Sequence, residues 1–174
     1  MKALTDRYFD INLHKFWEDA ETNQFTFPLW NLSGQMVGYQ KYNPNTDNKK
    51  TNDPKEGRYY TFQYKNNIAV WGMESWKLSN TLFLSEGVFD AARLSYYKQS
   101  SLALLSSDIS KSTKSWLKLV RKFRKVVVIC DNDENLAGNK LAKYGHLHYK
   151  VESGNDLGDA SDDEVAYIIE EYGK

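Results

Sequence analysis

The chain has 174 residues and a mass of 20.2 kDa, enough for one ordinary domain or two subdomains that share a core. It has no run of about 18 apolar residues and no apolar segment at its N-terminus, so we expect neither a membrane span nor secretion. A single cysteine, Cys130, excludes an internal disulfide and a Cys-rich zinc site, and indicates a reducing compartment.

The net charge of zero hides a strong segregation of charge. Residues 131 to 174 carry eleven acids and four bases, so this region has a charge of −7 and the preceding 130 residues a charge of +7. The segment from Lys111 to Lys125 contains seven bases and no acid. Such a block is typical of a solvated helix face, and the alternative is a track that binds a polyanion. Composition does not choose between these two interpretations.

The first eighty residues predict a small, aromatic-rich α+β unit. Asn12 is a plausible N-cap for the first element, and Gly34 can take the positive φ of a hairpin turn. Pro28 favours an edge position or a bulge for its strand. In chain order, the expected elements are a helix over 13–20, strands over 25–31 and 35–42, a polar loop over 43–57, and strands over 59–64 and 68–71.

From residue 80 onward, short apolar runs alternate with helical patterns. The strongest strand prediction is Val126 to Cys130, which is continuous and largely β-branched, as expected of a strand buried on both faces. This alternation predicts an α/β fold with a parallel sheet and right-handed crossovers over residues 80–174, after an N-terminal unit over 1–79. The expected strands are 82–84, 102–105, 126–130 and 146–150, and the expected helices are 88–97, 112–123, 133–144 and 162–172.

Acidic residues follow three of these predicted strands. Glu86 follows the first, Asp131 and Asp133 follow the third, and Asp156 comes shortly after the last. Sites in open parallel sheets form beyond the carboxyl ends of the strands, so we expect these acids to cluster. Asp131 and Asp133 suit a hard cation such as Mg²⁺, which can activate a phosphoryl group while Glu86 moves a proton. The alternative is that each acid is a loop residue or a helix N-cap.

The same residues carry a resemblance to a known family. Residues 82–91 (LFLSEGVFDA), the Asp-Asn-Asp at 131–133 with Gly138, and Asn155-Asp156 resemble the three blocks of a toprim domain. Toprim domains occur in bacterial-type primases, topoisomerases and some nucleases. Upstream, residues 27–41 resemble the hairpin that precedes toprim in primase cores, and residues 68–72 resemble the segment that closes that subdomain. The likeness is therefore to the catalytic core of bacterial and phage DNA primases.

This resemblance implies a function and a set of site residues. It implies a phage-type primase core that joins ribonucleotides on a single-stranded DNA template beside a separate helicase, in a bacterial or phage-infected cytoplasm. Glu86 would be the acid/base residue, and Asp131, Asp133 and Asp156 would organise Mg²⁺ or Mn²⁺. Lys41 would act at the catalytic site on nucleotide phosphates or template, the alternative being an exposed strand residue. The predicted nucleic-acid contacts are Arg58, Lys111, Lys114, Lys118, Arg121 and Lys140.

Some features depart from the family pattern and leave two rival functions open. Four residues, 134–137, separate Asp133 from Gly138, which is a longer loop than is usual in the family. The chain has no Cys-rich zinc module and no phosphate-binding Gly-Lys-Ser/Thr loop, so we expect a bare catalytic core without a helicase motor. One rival is a toprim nuclease that hydrolyses a phosphodiester at the same metal site. The other is a non-catalytic toprim module that binds nucleic acid or a replication partner.

Overall fold

The computed structural model describes residues 1–48, 53, 56–65, 67–106, 109–132 and 137–174, without the side chains of 137–139. Eight strands and five helices lie in these ranges, with a 3₁₀ turn over Met73–Ser75. In chain order they are α1 (Lys2–Thr5), β1 (Trp17–Asp19), β2 (Gln24–Trp30), β3 (Met36–Tyr42), β4 (Tyr59–Gln63), β5 (Leu82–Ser85), α2 (Val88–Tyr96), β6 (Ser100–Ala103), α3 (Lys111–Val120), β7 (Val126–Cys130), α4 (Ala137–Ala142), β8 (Leu147–Lys150) and α5 (Asp162–Tyr172).

Strands β1 to β4 form an antiparallel sheet in sequence order. The predicted hairpin between β2 and β3 is confirmed, with Gly34 at a φ of 75° in its turn. Pro28 is not on an edge strand, because β2 lies between β1 and β3. β1 pairs only with residues 24–26, however, so Pro28 lies beyond its end and needs no N–H on that side. The one irregularity of register falls between Leu29 and Trp30.

The predicted helix over 13–20 is wrong. The chain makes a turn there and then forms β1, in which Trp17 pairs with Thr26. The turn is held by Asp10, whose Oδ1 accepts from the backbone N–H groups of Asn12 and Leu13. The segment is too short to form a stable helix alone, and pairing with β2 outweighs its weak local helical preference.

The predicted strand over 68–71 is also wrong, because only isolated bridges form there. Val70 bridges to Trp30 of the antiparallel sheet, and Trp71 bridges to Ala103 of β6. The Trp71 side chain is fully buried. This segment therefore connects the two sheets instead of extending either of them.

Strands β5 to β8 form a parallel sheet in the order β6-β5-β7-β8, which confirms the predicted α/β architecture. The chain passes from β5 to β6 on one side and then crosses to β7 on the other side of β5. This reversal creates a crevice at the carboxyl ends of β5 and β7, where ligands bind in open α/β sheets. All five residues of β7 are buried, as its sequence predicts.

Helix α2 packs between the two sheets. Its Phe89 and Ala92 lie in a hydrophobic cluster with Phe27 of β2, and its Leu94 packs with Val127 of β7 and with α5. Helices α3 and α4 cover the opposite face of the parallel sheet. The two halves of the chain thus share a core, and their division at residue 79 into subdomains stays a prediction. Among the helices in the described ranges, none combines the length and apolar character needed to cross a bilayer.

Candidate active site

A cavity of about 410 Å³ lies between the two sheets, at the carboxyl ends of β5 and β7. The antiparallel sheet contributes Gln40, Tyr59 and Thr61, and the N-terminal segment contributes Arg7. The parallel sheet and its loops contribute the rest of the wall. These residues are Glu86, Gly87, Val88, Phe89, Asp90, Leu105, Asp131 and Asp156.

Three of the four predicted acids line this cavity. Glu86 directly follows β5, Asp131 directly follows β7, and Asp156 lies in the loop after β8. The loops after β7 and β8 are tied together, because the Asn132 N–H donates to the Asn155 carbonyl oxygen at 2.8 Å. Asp133 lies outside the described residues. The predicted convergence of Glu86, Asp131 and Asp156 is therefore present, and their roles stay predictions.

A fourth carboxylate, Asp90, belongs to the same wall. It lies in the first turn of α2 and is 4% exposed. Its Oδ2 accepts from the Gly87 N–H at 3.0 Å, and its Oδ1 accepts from the Gly158 N–H at 2.9 Å. Burial, followed by the nearby charges of Asp156 and Asp131, raises the pKa of Asp90 to about 8. Asp90 therefore joins the turn that carries Glu86 to the loop that carries Asp156.

Arg7 supplies positive charge to the cavity. Its guanidinium stacks 3.9 Å from the centre of the Phe89 ring and donates to the Tyr59 hydroxyl at 3.2 Å. Burial acts to lower the pKa of Arg7, but its interactions with Tyr59 and Asp156 more than offset this effect and raise it. A Cβ at Gly158 would lie 3.0 Å from the Asp156 carboxylate and 3.2 Å from Arg7, so glycine permits this close approach. The cavity thus combines several carboxylates with one fixed cation.

A buried arginine outside the cavity anchors the loop that carries Asp156. Arg93 of α2 donates from Nη1 to the carbonyl oxygens of Leu157 and Gly158 and from Nη2 to Asp162 at 2.7 Å. Its guanidinium also lies 4.4 Å from the centre of the Tyr8 ring. The Arg93 side chain is only 3% exposed whereas Asp162 is 65% exposed, so the ion pair lies at the rim of the buried region. Arg93 therefore links α2, the Asp156 loop and the start of α5.

Replacing Arg93 with methionine is expected to lower the free energy of unfolding by about 1–3 kcal/mol, chiefly through the lost hydrogen bonds to buried carbonyl groups. The substitution keeps the apolar stem but removes the arginine donor from the carbonyl oxygens of Leu157 and Gly158 and the ion pair from Asp162. Urea unfolding measures the difference. Lys122→Met is the matched control, because Lys122 is exposed and its substitution should change stability by no more than about 0.5 kcal/mol. Equal stability of the two variants would contradict the anchoring role.

The donor set of the cavity is suited to a divalent cation. Carboxylate oxygens are the ligands that Mg²⁺ and Mn²⁺ prefer. The pKa of Asp90 is raised first by burial and then by the charges of Asp156 and Asp131, which places these two carboxylates close to Asp90. Within the described ranges, which omit Asp133, no three His, Cys, Asp or Glu side chains are close enough to hold an ion together. Mg²⁺ usually retains several waters and binds one or two carboxylates plus substrate phosphates, so Asp131 and Asp156 fit that requirement.

The predicted basic residues do not join this cavity. Gln40 and Thr61 are directly paired and line it, so the alternation along β3 places Lys41 on the opposite face of the sheet. Arg58 forms a 2.6 Å ion pair with the exposed Asp47. The remaining predicted contacts lie on helices away from the cavity, namely Lys111, Lys114 and Lys118 on α3, Arg121 just after it, and Lys140 on α4. A direct role for Lys41 in catalysis has no support from this placement and stays a prediction.

Two charged residues of the cavity, Asp90 and Arg7, were not identified from the sequence. Asp90 had a usable signal, since it is the third residue of α2 after Gly87 at its N-cap, a spacing at which an acid reaches back to the N-cap N–H. Arg7 had no comparable signal. It is a single base in a segment without a motif, and only the tertiary fold places it against Phe89 and Tyr59.

Comparison with known proteins finds similar structures but no match by sequence. No protein-family model matches the chain, and no curated protein matches it. The primase fragment of the bacteriophage T7 primase-helicase superposes with a TM-score of 0.62 at 14% identity, over 90% of this chain and 65% of that one. The RNA polymerase domain of Mycobacterium tuberculosis primase DnaG, in complex with double-stranded DNA, has a TM-score of 0.60 at 15% identity, over 98% and 60%.

A third solved structure, a DnaG primase catalytic domain bound to single-stranded DNA, has a TM-score of 0.57 at 14% identity and covers 99% of this chain and 57% of that one. This chain therefore spans less than two thirds of each of the three structures. At these identities the likeness is one of fold. The chain has the fold of toprim-containing primase catalytic cores, as its motifs predict.

Proposed function

We propose that this chain is a primase-type nucleotidyltransferase that joins ribonucleotides on single-stranded DNA. The observation that carries the proposal is the convergence of Glu86, Asp131 and Asp156 with Arg7 on one cavity, in a chain with the primase-core fold. The toprim motifs at these same acids support it further. The cavity volume of about 410 Å³ is within the range of small-ligand sites, as a ribonucleotide site requires.

Each wall of the cavity would contribute a separate task. Glu86 would take the proton from the 3′-hydroxyl group that attacks the α-phosphorus of the next nucleoside triphosphate, from which pyrophosphate leaves. Arg7, held by Tyr59 and Phe89, would face the incoming phosphates and offset their charge. Asp131 and Asp156 would hold the divalent ion, which when bound acts as a Lewis acid on the phosphoryl group. Asp90 would position these groups through Gly87 and Gly158 without contacting substrate.

The proposal is tested by incubating the protein with end-labelled single-stranded DNA, labelled ribonucleotides and Mn²⁺. A primase produces labelled RNA products that depend on template and ribonucleotides and are absent when EDTA is added. The nuclease alternative predicts shortening of the labelled DNA without any need for ribonucleotides. The non-catalytic module predicts neither product, although the DNA is still bound. Any outcome other than template-dependent RNA synthesis would refute the proposed activity.

A further inference from the structure

The face of the antiparallel sheet that points away from the cavity, here called the outer face, carries exposed aromatic rings. Directly paired residues share a face, so the pairing of Lys41 with Thr26 and Tyr60 sets one row across the sheet, and Trp17 extends it. The neighbouring row pairs Tyr39 with Phe62. Tyr64, just beyond β4, continues the aromatic series, because its ring contacts Phe62.

Three rings of the outer face are exposed, and four of its rings form a connected series of contacts. Trp17 is 51% exposed, Phe62 39% and Tyr64 61%. The Tyr39 and Phe62 rings are stacked with centroids 5.5 Å apart, and Phe62 and Tyr64 meet edge to face at the same distance. Tyr60 lies 6.4 Å from Tyr39 by the same measure. Large exposed aromatic patches on small proteins mark binding surfaces, because their exposure to water is unfavourable.

The chemistry of the outer face favours a nucleic acid over a protein ligand. Lys41 lies within the aromatic rows, whereas the buried centres of protein interfaces are depleted in lysine. Asp19 is near Lys41, and its carboxylate is engaged by the N–H groups of Glu21 and Thr22. Exposed rings beside a base are the combination that binds single strands, in which bases stack on rings and the lysine attracts the phosphates.

We propose that the outer face is a stacking surface for single-stranded DNA, with Phe62 and its neighbouring rings as the platform and Lys41 as a phosphate contact. This proposal rests on the proposed function, because it takes the DNA template as the ligand. It extends that function by locating the path of the template on the protein. β4 is one of the two edge strands of the sheet, and its Thr61 lines the cavity while Tyr60 and Phe62 lie on the outer face. A single-stranded DNA that passes over the edge of the sheet at β4 therefore reaches the cavity after crossing the thickness of one sheet.

The test compares two substitutions at Phe62 that differ in whether a ring is kept. Fluorescence anisotropy with a labelled oligodeoxythymidylate gives the dissociation constant of the full chain. Phe62→Tyr should bind like the wild type, whereas Phe62→Leu should bind about 5-fold to 150-fold more weakly, the range for one lost stacked base. Lys41→Gln should weaken binding and lower the slope of log affinity against log salt by about one. Tyr167→Leu, at an exposed ring of α5, is the control and should change nothing.

Three results would overturn the proposal. The first is equal binding by Phe62→Leu and Phe62→Tyr, and the second is a duplex that competes as well as the single strand. The third is a lower sedimentation coefficient of the free Phe62→Leu protein, because the outer face would then join two copies of the chain and not bind DNA. Asp131→Asn serves to separate this proposal from the proposed function. This variant should synthesise no RNA but bind DNA as the wild type does. If the wild-type protein itself synthesises no RNA while its binding still depends on Phe62, the proposed activity is refuted and the stacking surface is not.

Discussion

Replacing Glu86 with glutamine is expected to lower the rate of primer synthesis by about 10²-fold to 10⁴-fold, the contribution typical of a positioned general base. The amide keeps the size of the side chain and can still form hydrogen bonds, but it cannot accept the proton of the attacking hydroxyl. Glu86 follows β5 directly, and its carbonyl oxygen accepts from the Leu105 N–H at 2.9 Å. Because the backbone is held in this way, the substitution should leave the fold and the affinity for template unchanged.

The measurement is the initial rate at saturating ribonucleotides and Mn²⁺, together with the melting temperature and the template affinity of each variant. Glu170→Gln, an exposed acid on α5, is the matched control and should keep the full rate. A Glu86→Gln variant that retains more than about a tenth of the wild-type rate would contradict proton transfer by Glu86. A loss of rate accompanied by a lower melting temperature would instead indicate misfolding, and Glu86→Asp would then be compared.

The strands of the parallel sheet and the convergence of its acids could be predicted because both depend on local pattern. Val126 to Cys130 is apolar at every position, which indicates a strand covered on both faces, and the structure buries all five residues. Acids that directly follow such strands must emerge at the same edge of the sheet. Glu86 and Asp131 therefore meet at one cavity although 45 positions separate them in the sequence.

The face on which Lys41 lies could not be predicted, because the strand pattern there is ambiguous. Tyr39 and Tyr42 are both aromatic but lie on opposite faces of β3, so hydrophobicity does not distinguish the cavity side from the solvent side. The same ambiguity affects β4, where Tyr59 and Tyr60 lie on opposite faces. Packing from outside the sheet, as between Phe89 of α2 and Tyr42, buries one face of β3. The face on which a side chain lies cannot be predicted from a local sequence pattern when it depends on such long-range contacts.

The stability of the cation-free protein is expected to fall as the pH rises from about 4 to about 8, because of Asp90. Its pKa is raised from an ordinary value of 3.8 to about 8 by burial and by the charges of Asp156 and Asp131. The folded state therefore binds a proton that the unfolded chain has already lost, and each pH unit within this window costs up to about 1.4 kcal/mol. Asp162 acts with the opposite sign: its bonds to Tyr8 and Arg93 lower its pKa, so its stabilisation is lost on acidification. We expect maximum stability at mildly acidic pH.

Urea unfolding between about pH 5 and pH 9, in EDTA and in millimolar Mg²⁺, measures this dependence. Mg²⁺ should stabilise the protein more at the alkaline end, because a cation held by Asp131 and Asp156 offsets the charges that raise the pKa of Asp90. Asp90→Asn should reduce the loss of stability with rising pH, since the amide does not titrate. The variant also loses one of the two hydrogen bonds from Gly87 and Gly158, so its slope against pH is compared and not its absolute stability. An unchanged slope in Asp90→Asn would assign the decline to another group. If Mg²⁺ stabilises the protein equally at both ends of the pH range, cation binding is not linked to the ionisation of Asp90.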